Sequence, residues 1–221
     1  MLHRITLTIK KFDHILLLGG LLLLVASPIW EALVTGGLFF EELMIIVTLI
    51  SGLSVTFTHN KGKIGSGQYL GLIVILATVL DVFVGLGFWF ETITHYGQVV
   101  YYLLLTTTMF RLIIKSSAVD SEVVINSISG YLLMGLSWSI LVGIWNAFFP
   151  GSFSYVSDGG SFLFDSMYYV FVTMTTLGYG DMLPLTLAAK SFSMLISITG
   201  AFYTTIVIGM IVGKYVSRQT K

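Results

Sequence analysis

Apolar residues fall along this chain in six long blocks, separated by short polar or glycine-containing stretches. A helix needs about 20 mostly apolar residues to cross ~30 Å of hydrocarbon. Runs of that size lie at Phe12 to Trp30, Glu41 to Thr58, Tyr69 to Phe90, Val99 to Ile114, Val123 to Phe149 and Leu187 to Val212. A seventh stretch, Phe162 to Thr176, is shorter and rich in Tyr and Thr, which suits a re-entrant half-span held inside protein. The pattern predicts an all-α integral membrane protein of six spans plus one half-span.

Charge gives the predicted spans a direction, because Lys and Arg near span ends collect on the cytoplasmic side. With six spans and a cytoplasmic N-terminus, Arg4, Lys10, Lys11, Lys61, Lys63, Arg111, Lys115, Lys214, Arg218 and Lys221 all fall inside, and Lys190 falls outside. Glu31, Glu41, Glu42, Glu91, Asp158, Asp165 and Asp181 face outward. Both termini are therefore expected in the cytoplasm. The basic start followed by Ile15 to Val25 also has the form of a secretory signal. Pro28, just after Ala26 and Ser27, would hinder cleavage there, so a retained helix is expected.

Composition narrows the function classes. The 221 residues are 56% hydrophobic and 10% charged with zero formal net charge, and the mean hydropathy is +0.93. Soluble domains carry about a quarter charged residues, so a soluble enzyme is not expected. No like-charge tract exceeds Lys10-Lys11, which removes the footprint of a nucleic-acid binder. Cysteine is absent, which removes disulfides, thiolate metal sites and cysteine nucleophiles. Four scattered histidines lack zinc-ligand spacing.

The stretch that carries chemistry is Thr173-Met174-Thr175-Thr176-Leu177-Gly178-Tyr179-Gly180-Asp181, between the half-span and the last helix. A dehydrated cation needs a cage of oxygens, and backbone carbonyls can supply it when successive residues alternate between right- and left-handed conformations. Glycine tolerates that alternation cheaply, and Gly178 and Gly180 sit at alternate positions. Thr176 can add its hydroxyl at the inner mouth, while Leu177 and Tyr179 turn outward against the half-span. The half-span's C-terminal dipole would favour a cation in a central cavity.

Thr-Leu-Gly-Tyr-Gly-Asp resembles the selectivity filter of potassium channels, with Leu177 where the family usually has Val. The resemblance covers roughly the last hundred residues. It implies a peripheral four-helix membrane domain over 1–118 and a pore domain over 119–221, with outer helix 123–149, pore helix 161–175, filter 176–181 and inner helix 187–213. It also implies a homotetramer in the plasma or inner membrane, potassium coordinated at Thr176, Leu177, Gly178, Tyr179 and Gly180, and passive conduction with no enzymatic turnover. No cofactor beyond the permeant ion and no soluble partner is implied; membrane lipids are the surroundings. Tyr168, Tyr169, Thr175 and Asp181 are candidate filter supports. Tyr168-Tyr169 stands where family pore helices often carry Trp-Trp, and Val172 stands at a frequent Glu position. Gly200 falls where the family places a gating hinge, with close helix packing as the equal alternative. Ala201, Thr204, Ile208 and Val212 form a stripe on the expected inner pore wall.

Beside a non-conducting membrane scaffold, two other readings stay open at this level. One is a cation channel of poor selectivity. The other is an intramembrane aspartyl protease of the Gly-x-Gly-Asp type, with Asp81 as second carboxylate; Leu80 stands where that family has Tyr.

Six-helix channels of the resembled family often carry Arg or Lys at every third position of the fourth helix. Positions 102, 105, 108, 111, 114 and 117 here read Tyr, Leu, Thr, Arg, Ile and Ser, so weak voltage dependence at most is expected. Asp81 and Arg111 come out at similar depths on consecutive spans, and an intramembrane ion pair between them is expected, against a snorkelling Arg111 and a protonated Asp81.

Overall fold

The computed structural model describes residues 2–33, 38–59, 65–116, 119–154 and 162–219. Lys61, Lys63, Asp158, Ser161, Lys221 and the predicted domain boundary at 118 lie outside the described residues, as do the side chains of Arg4, Lys10, Lys11, Glu31 and Arg218. Seven helices follow in order: α1 Leu2–Leu33, α2 Leu38–His59, α3 Ser66–Val84, α4 Phe88–Lys115, α5 Ser121–Phe148, α6 Phe162–Met174 and α7 Leu187–Gln219. Six of them, all but α6, are long and apolar enough to cross a membrane.

Helices α1 to α4 form a bundle whose neighbours in sequence are neighbours in space, and α4 and α1 lean on α5. Leu17, Leu49, Tyr101, Tyr102, Leu105, Met109 and Leu133 are fully buried in this shared core. Two of the α4 positions that a voltage sensor would make cationic, those of Tyr102 and Leu105, are used for packing. Tyr102 and Leu105 have no exposed surface, and the Tyr102 hydroxyl lies 3.2 Å from Thr48 Oγ1 on α2. Asp120 starts α5, its carboxylate accepting from the Val123 amide at 3.0 Å, an N-cap of the usual kind.

Helices α5, α6 and α7 overlap the stretches 123–149, 161–175 and 187–213, with α7 running on to Gln219. The third and fourth spans are corrected. Helix α3 stops at Val84 and α4 begins at Phe88. Between them Gly85 (φ +63) and Gly87 (φ +95) take the left-handed region, and the Gly85 amide closes α3 on the Asp81 carbonyl at 2.9 Å. This break lies within an apolar run, so hydropathy alone carries the third span through it.

The same shift overturns the Asp81–Arg111 ion pair. Asp81 sits one turn before the end of α3, beside the start of α4. Arg111 lies about 23 residues farther along α4 from Phe88, or ~35 Å at 1.5 Å per residue, at the opposite end of the bundle. Among the described residues the salt bridge present is His14 Nε2 to Glu122 Oε1 at 3.4 Å, from α1 to the first turn of α5.

Candidate functional site: a re-entrant loop with alternating backbone

Helix α6 descends between α5 and α7 and ends at Met174, where the chain turns and runs back. The turn is fixed by one acceptor: the Leu177 and Gly178 amides both donate to the Val172 carbonyl, at 3.0 and 3.2 Å, while the Thr176 amide donates to Thr173 at 3.1 Å. Beyond it, φ is positive at Thr176 (+61), Gly178 (+58) and Gly180 (+78). Every second residue is thus left-handed, the alternation that turns successive carbonyls to one side. Glycine meets this at little cost, but Thr176 is the only non-glycine with positive φ among the described residues. A side-chain-bearing residue there stores about 1–2 kcal/mol of strain. The sequence pattern shows the two glycines and gives no sign of the strained threonine.

Behind this strand lies a cavity of about 250 Å³ lined by Tyr168, Tyr169, Val172, Gly178, Gly180 and Asp181, among others. Tyr168 stacks on Tyr179, centroids 6.5 Å apart and rings inclined 17°, and its hydroxyl donates to Asp181 Oδ2 at 2.5 Å. Asp181 Oδ1 accepts the Met182 amide at 3.0 Å. The Tyr168 bond holds the Asp181 carboxyl below its ordinary value of 3.8. The carboxylate in turn pushes the Tyr168 hydroxyl up to about 12. Tyr169, on the same cavity, is tied to the last helix: its hydroxyl is hydrogen-bonded to Ser193 of α7, and its ring meets Phe153 edge-on at 5.2 Å.

The outer end of the strand is clamped by the segment after α5. The Ser154 amide donates to the Leu183 carbonyl at 2.9 Å and the Leu185 amide to the Ser152 carbonyl at 2.8 Å, around a bridge of Phe153 to Pro184. At the inner end Thr175, Thr176, Ala201 and Thr204 line one cavity of about 450 Å³. Ile208 and Val212 continue the same exposed stripe down α7.

Gly200 is the point where α7 passes the end of α6. A Cβ there would stand 2.7 Å from the Met174 carbonyl oxygen and 3.0 Å from its Cα, closer than backbone atoms permit. The packing role anticipated for Gly200 is thus observed. Lys214, legible in sequence only as an inner positive charge, instead caps α4: its ammonium donates to the carbonyls of Ile113, Ile114 at 3.0 Å and Ser116 at 2.6 Å. A cation on the last carbonyls of a helix suits its dipole, and this one ties the inner end of α7 to the end of α4.

Residues 131–217 match a family model described as "Ion channel". The A-type voltage-gated potassium channels KCND3 of Rattus norvegicus, Homo sapiens and Mus musculus are each 36% identical to the chain over 86 residues, covering 39% of this chain and 13% of each relative. The chain therefore spans a small part of the length of those relatives. No solved structure matches it. Both matches are to channel proteins rather than enzymes, and the resemblance read from the filter stretch holds over the segment they cover.

Proposed function

We propose that this chain forms a potassium-selective channel, four copies surrounding one pore in a cell membrane, plasma or inner, with both termini cytoplasmic. The observation that carries the reading is the alternation of positive φ at Thr176, Gly178 and Gly180 at the end of a half-span helix. One strand of this kind offers one wall of carbonyls, and a closed cage around an ion takes a ring of them. Thr176, Leu177, Gly178, Tyr179 and Gly180 would coordinate the ion, with Asp181, Tyr168, Tyr169 and Thr175 as support. Ala201, Thr204, Ile208 and Val212 would line the inner pore. Gly200 stays a proposed hinge as well as a packing contact.

At most weak voltage dependence fits the α4 packing, since Tyr102 and Leu105 occupy buried positions where a sensor carries charge. Each charge crossing 100 mV is worth ~2.3 kcal/mol, and steep gating needs three or four per subunit. The aspartyl protease reading finds no support in the geometry: Asp81 and Asp181 line separate cavities. Potassium flux into reconstituted vesicles, with sodium as the paired control, tests the proposal. Potassium-driven uptake without sodium uptake supports it. Equal uptake of both ions favours a channel of poor selectivity, and no uptake of either overturns conduction.

A further inference from the structure

Two consecutive titratable residues of α1, Asp13 and His14, are buried, 6% and 4% exposed, at the start of an otherwise apolar span. Each turns to a different neighbour. Asp13 Oδ1 accepts from the Ser54 hydroxyl of α2 at 2.8 Å, a contact inside the peripheral bundle. His14 Nε2 meets Glu122 Oε1 in the first turn of α5 at 3.4 Å, a contact across to the helices that carry the re-entrant loop. Pro28 of the same helix lines a cavity with Tyr168, beside that loop. From there His14 lies ~21 Å along α1 at 1.5 Å per residue, toward the opposite end of the molecule.

Charge decides the strength of the His14–Glu122 contact. N–H···O hydrogen bonds run ~2.7–3.2 Å, so at 3.4 Å a neutral imidazole gains little from the carboxylate, whereas an imidazolium is within ion-pair reach. Histidine is also the side chain whose ordinary titration, at ~6.5, crosses physiological pH. The Glu122 side chain is 38% exposed, which gives protons a route to the buried imidazole.

Helix α1 packs on α2 and α5. From α5 the charged groups at this end are Glu122 and Asp120, and Asp120 is engaged with the Val123 amide. From α2 the titratable group at this end is His59, whose side chain lies outside the described residues; Glu41 and Glu42 stand at the other end of that helix. On α1 itself they are Asp13 and, a turn earlier, Lys10 and Lys11, again with side chains outside the described residues. Arg111 and Lys115 of α4 are exposed.

We propose that His14 and Glu122 form a proton-operated clasp between the peripheral bundle and α5: protonation of His14 turns the contact into an ion pair that draws α1 onto the first turn of α5, and loss of the proton loosens it. Acid therefore biases the bundle and helices α5 to α7 toward the arrangement in which α1 lies on α5. The side from which the proton arrives is cytoplasmic in the proposed topology; that assignment rests on the proposed function, and the clasp itself does not.

A double-mutant cycle in apparent melting temperature tests the clasp on the full-length protein in detergent, with wild type, His14→Gln, Glu122→Gln and the double variant at about pH 8 and about pH 5. Other titrating groups act alike on all four chains and cancel from the coupling. The coupling should stand at about 2–4 °C at the lower pH, the shift that a part-exposed ion pair gives in a chain of this size, and shrink toward zero at the higher. Equal coupling at both pH values, or none at either, would overturn the clasp. Asp13→Asn placed in all four chains should leave the pH dependence of the coupling intact; its loss would put the proton on Asp13 and overturn the clasp equally. If His14→Gln does not fold, wild type against Glu122→Gln decides: the wild type should gain about 2–4 °C on the variant between the higher and the lower pH, and parallel behaviour overturns the proposal. Melting is read without conduction, so failure here leaves the proposed potassium conduction standing.

Discussion

Tyr168 shows what a single side chain does for the re-entrant loop. Its hydroxyl holds Asp181 ionised below the ordinary carboxylate value, and being itself pushed up to about 12 it stays protonated and donating at every physiological pH. A lowered carboxyl value means that the brace is fully present above 3.8 and is lost as pH falls through the lower value. Tyr168→Phe should therefore bring the titration of Asp181, followed by carboxyl chemical shift, up toward 3.8 and shift acid inhibition from the filter's outer side to higher pH. An unmoved titration would show that the bond does not form in the membrane. The left-handed backbone at Gly178 and Gly180 was legible in sequence because glycine takes a positive φ at little cost, and both residues have one. Thr176 was not, because nothing in a threonine's identity announces a positive φ; the surrounding hydrogen bonds to Val172 and Thr173 impose it.

Helices were legible as apolar blocks, and their ends less so. The six spans were visible because twenty apolar residues have few other uses. The α3–α4 turn was hidden because Leu86, Phe88 and Trp89 flank its glycines with apolar side chains, and the one signal for it was Gly85-x-Gly87 itself. That displacement has a measurable consequence. Asp81→Asn and Arg111→Gln should change thermal stability additively, within the ~0.3–0.5 kcal/mol scatter of distant sites, whereas an interacting pair would show the double variant recovering part of the loss.

The α6–α7 contact gives a second test at this scale. Gly200→Ala drives a Cβ at the Met174 backbone and should cost about 1–3 kcal/mol by overpacking. Gly209→Ala, where nothing lies within 4 Å in the single chain, should be neutral or gain up to ~1 kcal/mol of helix propensity. Thermal unfolding in detergent compares them; equal effects would remove the packing role of Gly200.

The whole molecule is a four-helix bundle leaning on helices α5 to α7, joined by α4 along α5, by His14 to Glu122, and by Lys214 on the last carbonyls of α4. The last two joints were not legible in sequence, since each pairs residues about a hundred positions apart. Tyr102 and Leu105 are buried where a charge ladder would stand, and the proposal of at most weak voltage dependence rests on that packing. Arg111→Gln should therefore leave the slope of the conductance–voltage relation within ~1 elementary charge per channel subunit of the wild type; a loss of steepness beyond that would restore a sensor. The central claim is the carbonyl cage, and the reversal potential of purified channels in a planar bilayer, with potassium on one side and sodium on the other, tests it most directly. The account predicts a reversal displaced strongly toward the potassium equilibrium in the wild type and collapsed toward zero in Gly178→Ala, where a side chain meets a φ of +58. A wild-type reversal near zero, or an unchanged one in Gly178→Ala, would contradict it.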